Sequence, residues 1–321
     1  MSFGSSEWLP WVKNKDEALP VFKKAYDLGI TTWDTANGYS NGESERIIAA
    51  AIKEYNIPRE ELIIMTKCFF ASDKKNLGTL GFMSDLSKDK TFVNQFGLSR
   101  GAIFKSVDES LGRLGTDYID LLQIHRYDYS VEPEEVMGAL NDLVKSGKVR
   151  YIGASSMWAY QFATLQHVAE THGWAKFVSM QDCYNLLYRE EEREMIPYCL
   201  ATGVGLVPYS PLSAGALARP LRESSQRSDF SNEHMAALVP KFTADQEDII
   251  GRVAKIAEEK GWRMSDVALA WVLKTVSSPI VGVNSAERLE QIAGVNGKTL
   301  TPEEIKFLEE PYLPHPIRGH K

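Results

Sequence analysis

The chain has 321 residues, 44% hydrophobic and 25% charged, enough apolar material for a large core and a length that fits one α/β barrel with insertions. A formal charge of -7 leaves no basic excess for broad contact with nucleic acid or an anionic membrane surface. Three scattered cysteines, Cys68, Cys183 and Cys199, form no CxxC pair, which argues against a disulfide framework or zinc knuckle and predicts a reducing, cytoplasmic compartment.

No apolar run nears the roughly 20 residues that span a bilayer, and the first residues lack the pattern of a signal peptide. Residues 1–14, MSFGSSEWLPWVKN, hold no complete strand or helix. Asn14 followed by Glu17 predicts a cap for a helix whose Leu19, Phe22 and Tyr26 share a face and which Gly29 closes. Ile30 to Trp33 reads as a buried strand ending at Asp34; a turn then delivers Tyr39, and Ser40 with Glu43 predicts a capping box for the helix carrying Ile47, Ile48, Ala51, Ile52 and Tyr55. LIIMTK, ending at Lys67, is the next strand.

Residues 68–99 form a long polar segment without sustained period, a candidate lid. Beyond it the alternation is regular. A helix with Ile103, Val107, Leu111 and Leu114 precedes the strand YIDLLQIH ending at His125, and a helix with Val136, Met137, Leu140 and Leu143 precedes VRYIGAS ending at Ser155. A helix near 159–171, the strand FVSMQ ending at Gln181, a Glu-rich helix over 189–201 and the strand GVGLVPYS ending at Ser210 follow. A second long loop over 211–242 leads to helices near 249–259 and 266–274, the strand SPIVG and helices near 286–292 and 302–310.

Seven strands alternating with helices imply a parallel sheet, which a doubly wound sheet or a (β/α)8 barrel could satisfy. Asp34, Lys67, His125, Ser155, Gln181 and Ser210 each close a different strand, and only a barrel brings all such ends round one pocket. The expected fold class is therefore α/β, a (β/α)8 TIM barrel made by one domain over 1–321, with its first strand truncated or absent ahead of Ser5.

The strand ends suggest proton transfer. A phenol titrates near ~10, and Lys67 beside Tyr39 would lower that value while Asp34 holds the ammonium. His125 could orient a carbonyl oxygen on its way to an alkoxide. Taken singly, each is explicable as a turn cap, surface residue, solvated strand end or core histidine; four at successive positions of one active-site face point to donation of a proton to a carbonyl. GKT at 297–299 lacks the upstream Gly of a Walker A loop, GVGLVP lacks the third Gly of a dinucleotide fingerprint, and the histidines form no HExxH pair, so no metal is expected.

DTANGYSNGESE, the TK pair at Thr66 and Lys67, LLQIH, YIGASS, YSPLSAG and IVGVNSAERLE, in that order, resemble the aldo-keto reductases over nearly the whole chain, and most closely the branch with aryl-alcohol dehydrogenases and versiconal hemiacetal acetate reductases. The resemblance implies Tyr39 as general acid, Lys67 and Asp34 as its tuning pair and His125 as orienting residue. It implies NADP(H) as cofactor and a small carbonyl or alcohol substrate. Ser155, Ser156 and Gln181 would hold the nicotinamide carboxamide, although many relatives have Asn where Ser156 stands, and Tyr209 would stack on the ring. Ser210, Pro211, Leu212, Ala214, Gly215 and Leu217 would wrap the pyrophosphate; Gly282, Asn284, Ser285, Arg288 and Gln291 fall where relatives bind the adenosine 2'-phosphate.

Relatives begin with a β-hairpin and a first strand ahead of the residues that match MSFGSS, so a gap or short remnant is expected between first and last strands. Aromatic residues Trp8, Trp11, Phe69, Phe70, Phe96 and Trp158 are candidate substrate walls. The alternative to an NADPH-dependent carbonyl reductase is a cofactor-binding, non-catalytic or regulatory protein of the same fold. A weaker third is an aldolase using Lys67 as a Schiff base.

Overall fold

The computed structural model describes residues 1–83, 86, 89–221 and 241–320. Most of the second long loop, 222–240, and part of the candidate lid, 84–85 and 87–88, thus lie outside the described residues. The chain divides into two compact units, one comprising 1–180, 283–289 and 320, the other 181–282 and 290–319.

In the first unit, helix α1 (Lys15–Asp27) is capped as its sequence predicts, with the Glu17 carboxylate accepting from the Asn14 backbone N–H at 3.4 Å. Its buried face is Ala18, Val21, Phe22 and Ala25, one position round from the predicted Leu19–Phe22–Tyr26 stripe. The reason is that Tyr26 turns its hydroxyl outward to the Glu61 carboxylate, leaving the small alanines to pack inward. Val21 and Ala25 form a cluster with Leu289, onto which Phe3, Ile30 and Val283 pack. Residues 1–14 contribute a single parallel bridge, Phe3 with Lys13.

Strands β1 (Thr32–Asp34), β2 (Ile63–Cys68), β3 (Ile119–Ile124), β4 (Val149–Ser155) and β5 (Phe177–Gln181) are neighbours in chain order. The helices between them are α2 (Glu43–Glu54), α3 (Arg100–Leu114), α4 (Pro133–Lys145) and α5 (Ala159–His172). The pairings from β1 to β4 are parallel, and every residue of β3 is buried, as expected for strands covered by helices. Register decides which side chains meet. Asp34 lies opposite Met65, Lys67 opposite Gln123 and Gln123 opposite Gly153. Because side chains alternate along a strand, Asp34, Lys67, Gln123 and Ser155 fall on one face of the sheet.

The Ser40–Glu43 capping box does not form. Ser40 and Asn41 adopt left-handed backbone conformations in a turn over Tyr39–Gly42, and α2 begins only at Glu43, after Gly42 in the same left-handed region (φ 91°). The Ser40 hydroxyl instead accepts from the Ser5 backbone N–H at 3.2 Å.

In the second unit the described elements are β6 (Gly205–Leu206), α6 (Met195–Thr202), α7 (Ala244–Lys260), α8 (Met264–Leu273) and α10 (Pro302–Glu309); α9 (Ala286–Ala293) runs across the chain boundary between the units. The predicted Glu-rich helix is shorter, with Glu190–Glu192 forming one 3-10 turn ahead of α6. GVGLVPYS is a strand only at Gly205–Leu206, and SPIVG, read as a seventh strand, is reduced to one parallel bridge between Tyr209 and Ile280. Pro208 and Pro279 have no N–H to continue the ladder, which limits both.

Candidate active site

Strand β2 carries Lys67 into the interior with no solvent-exposed side-chain surface. A buried ammonium must be paired. Its Nζ donates to Asp34 Oδ2 at 2.6 Å and to the Thr35 carbonyl at 2.8 Å. The other Asp34 oxygen accepts from Gln123 Nε2 at 3.2 Å. Gln123 is not among the residues expected at the site; its place two residues before His125, hence on the same strand face, is the sequence signal for it.

Tyr39, delivered by the left-handed turn, places its ring 5.1 Å from Lys67 Nζ and 5.8 Å, edge to face, from the imidazole of His125. His125 stands just past the end of β3, its backbone N–H donating to the Cys68 carbonyl at 2.9 Å. The structure thus gathers Asp34, Tyr39, Lys67 and His125, four residues from three strand ends and one turn, into one cluster of the first unit.

Burial raises the Tyr39 phenol above its ordinary value; Lys67 pulls it down as expected, but burial outweighs that pull and Asp34 adds to the burial effect. The phenol is therefore held as an acid. Burial alone would depress Lys67, but Asp34 and Tyr39 overcome it and the ammonium is held above the usual lysine range. Burial, with Arg126 and Lys67 adding to it, holds His125 well below 6.5, so the imidazole is neutral at physiological pH. Its Nδ1 is buried and has no partner among the described residues.

Aromatic side chains flank the cluster. Phe70 lies 5.0 Å from His125 and 5.2 Å from Phe69, which in turn lies 4.9 Å from Phe96. The buried Trp8 ring lies 6.2 Å from that of Tyr39. Asn41, two residues beyond Tyr39, donates through Nδ2 to the carbonyls of Asn76, Leu77 and Thr79 and accepts from the Asp73 N–H through Oδ1, fastening the start of the 68–99 segment.

The remaining residues expected to touch a cofactor fall in both units. In the first, Ser155 and Ser156 are buried with hydroxyls 3.4 Å apart, and Ser156 is left-handed (φ 48°). Arg288 is exposed; its guanidinium donates to Asn284 Oδ1 at 2.8 Å, and its backbone N–H to Ser285 Oγ at 3.3 Å. In the second, Gln181 is buried, Tyr209 donates its N–H to the Asp182 carbonyl at 2.9 Å, and Ser210 accepts from Asn185 Nδ2 through its carbonyl at 2.9 Å. The loop from Ser210 through Pro211 and Leu212 to Leu217 is left-handed at Ser210, Ser213, Ala214 and Gly215. Such turns are the backbone geometry from which anion-binding nests are built, and three of the four left-handed residues are not glycine. Gly282 and Gln291 lie in this unit too.

The sequence profile of the aldo/keto reductase family matches residues 1–312. Among similar proteins, the aldo-keto reductase dtxS3 of Metarhizium robertsii is 53% identical over 328 residues, covering 100% of this chain and 88% of its own length. Versiconal hemiacetal acetate reductase of Aspergillus parasiticus is 49% identical over 320 residues, covering 99% of this chain and 93% of its own length. A Saccharomyces cerevisiae protein provisionally named aryl-alcohol dehydrogenase AAD16 is 45% identical over 315 residues, covering 98% of this chain and 92% of its own length. With the match spanning nearly the whole chain and two of these relatives named as reductases, the protein belongs to the aldo/keto reductase family of oxidoreductases, whose fold is the (β/α)8 barrel.

Proposed function

We propose that the protein is an NADPH-dependent carbonyl reductase in which Tyr39 is the general acid. The observation that carries this reading is the Tyr39–Lys67–Asp34–His125 cluster, with a phenol raised above its ordinary range beside an ammonium that Asp34 holds above the usual lysine range. Bound NADPH supplies the hydride. The Tyr39 O–H gives its proton to the substrate oxygen, and Lys67 stabilises the phenolate that this leaves behind. Asp34, steadied by Gln123, keeps Lys67 in place. Neutral His125 has one ring N–H to donate, which orients the carbonyl oxygen without competing as an acid. The reverse reaction oxidises an alcohol through the same groups.

Cofactor binding is supported by the left-handed turns over Ser210–Gly215, suited to the pyrophosphate, and by Arg288, whose planar charged fork suits a 2'-phosphate. Ser155, Ser156 and Gln181 are assigned to the carboxamide, Tyr209 to the nicotinamide face, and Asn284, Ser285, Gly282 and Gln291 to the adenosine end. The family match over residues 1–312 supports one catalytic domain acting on small carbonyl compounds. The aromatic residues around Tyr39 and His125 favour a flat substrate, and the name of the yeast relative favours aryl aldehydes. The test is NADPH oxidation with a panel of aromatic aldehydes, using Tyr39→Phe as control. Tight NADPH binding without any Tyr39-dependent turnover would defeat the proposal.

A further inference from the structure

The cluster holds together through one ion pair, but a second set of buried polar side chains lies against its neighbours. Helix α2 begins directly after the turn that carries Tyr39, and its second and third residues are Ser44 and Glu45. The Ser44 hydroxyl accepts from Thr35 Oγ1 at 2.9 Å, and Thr35 is the residue after Asp34 whose carbonyl receives the Lys67 ammonium. Glu45 Oε1 accepts from Thr66 Oγ1 at 2.6 Å, and Thr66 is the residue before Lys67. Two adjacent residues of α2 thus each hold the chain neighbour of one member of the acid cluster.

The far side of Glu45 is held by α3. Arg113 Nε donates to Glu45 Oε2 at 2.5 Å, and Arg113 Nη2 donates to Ser110 Oγ at 3.1 Å. Glu45, Thr66 and Thr35 are wholly buried, and Ser44 and the Arg113 side chain each keep only 7% of their surface. A glycine at 42 makes room for this arm, because a Cβ there would lie 2.5 Å from Arg113 Cδ. Removing a carboxylate and a guanidinium from water is costly, and apolar side chains of the same volume could hold the helices as firmly. Directional hydrogen bonds offer a fixed register, which apolar packing does not.

We propose that Ser44 and Glu45 form a positioning clamp. Thr35 and Thr66 are its receivers and Arg113 its backing, and it sets the distance between the Tyr39 phenol and the Asp34–Lys67 pair. Tyr39 is tied to α2 by the turn, and Asp34 and Lys67 are tied to the same helix through Thr35 and Thr66. The proton donor and the cation that stabilises its phenolate therefore move as one body. The clamp touches no reacting atom, and the inference rests on reading Tyr39 as the general acid.

Thr66→Val and Ser44→Ala release the receivers while leaving the Glu45–Arg113 pair in place, which keeps the fold testable. In NADPH-dependent reduction of an aromatic aldehyde, each is expected to lower kcat about 10-fold and the double variant about 100-fold, the scale of a sub-ångström to ångström misplacement. KM for NADPH should stay within about twofold. Thr66→Ser, which keeps the hydroxyl, should restore the rate. The decisive measurement repeats both substitutions in a Tyr39→Phe background by single-turnover kinetics, where their cost should vanish because there is no acid left to position. Wild-type kcat in Thr66→Val and Ser44→Ala, with Tyr39→Phe inactive, overturns the clamp alone. So does a cost that persists undiminished in the Tyr39→Phe background. Full turnover by Tyr39→Phe itself would instead remove the reading on which the clamp rests.

Discussion

The Lys67 ammonium donates to Asp34 Oδ2 across 2.6 Å with no side-chain surface left in water. A cation so placed cannot be tuned by solvent, and its charge is set by the carboxylate of the neighbouring strand. It serves the adjacent phenol only if that phenol ionises during the reaction, which makes Tyr39 the first residue to test.

Under the proposed mechanism, Tyr39→Phe removes the proton donor and little volume. It should lower kcat for carbonyl reduction by about 10²–10⁴-fold, the usual worth of a positioned acid. NADPH affinity, followed by nicotinamide fluorescence, should stay near the wild-type value. A parallel loss of cofactor affinity would place Tyr39 in binding instead of catalysis.

The pH dependence follows from two displaced groups. Because burial raises Tyr39 above 10.0, kcat in the reductive direction should be flat through neutral pH and fall only in the alkaline range. His125, held well below 6.5, should give no inflection near 6.5. For stability the sign is opposite to that of a paired histidine. The unfolded chain takes up a proton at His125 below about 6.5 while the folded chain does not, so stability falls as pH drops through that range. Thermal melts from pH 7.5 to 5 should show a smaller loss in His125→Gln than in the wild type.

Arg288 offers a guanidinium at an exposed position, steadied by Asn284. Arg288→Ala should raise KM for NADPH about 10-fold or more and leave KM for NADH nearly unchanged, since only the former carries the extra phosphate. Steady-state kinetics with both cofactors checks this, and an unchanged preference removes Arg288 from the role.

The buried Glu45–Arg113 pair makes a stability prediction independent of turnover. Arg113→Met alone leaves a carboxylate buried without its cation and should cost about 3–5 kcal/mol in urea unfolding. Adding Glu45→Leu should recover most of that loss, because it replaces the pair with apolar contacts. The double variant should fold well and turn over poorly.

The positions of Asp34, Lys67, His125 and Ser155 at successive strand ends were legible because strand periodicity and the barrel rule act on short stretches of chain. Their electrostatics were less so. The sequence supplies the charges around Tyr39 but not its burial, and burial reverses the expected direction of the shift. No sequence motif links Glu45 to Arg113, since nothing local reveals a partner 68 residues away. The Ser40–Glu43 box fits a standard capping pattern, yet Ser40 is taken by the Ser5 N–H and the turn winds left-handed. SPIVG carries strand-like residues, but its proline limits what a ladder can use.

Asn41 gives the turn beside Tyr39 a further consequence. Its amide nitrogen binds the carbonyls of Asn76, Leu77 and Thr79, while its oxygen accepts from Asp73 N–H. Exchanging that nitrogen for oxygen, as in Asn41→Asp, preserves the shape of the side chain and sets a carboxylate against three carbonyl oxygens. One atom thus separates a fastened segment from a repelled one, and limited proteolysis between residues 73 and 83 would register the difference without any change in size.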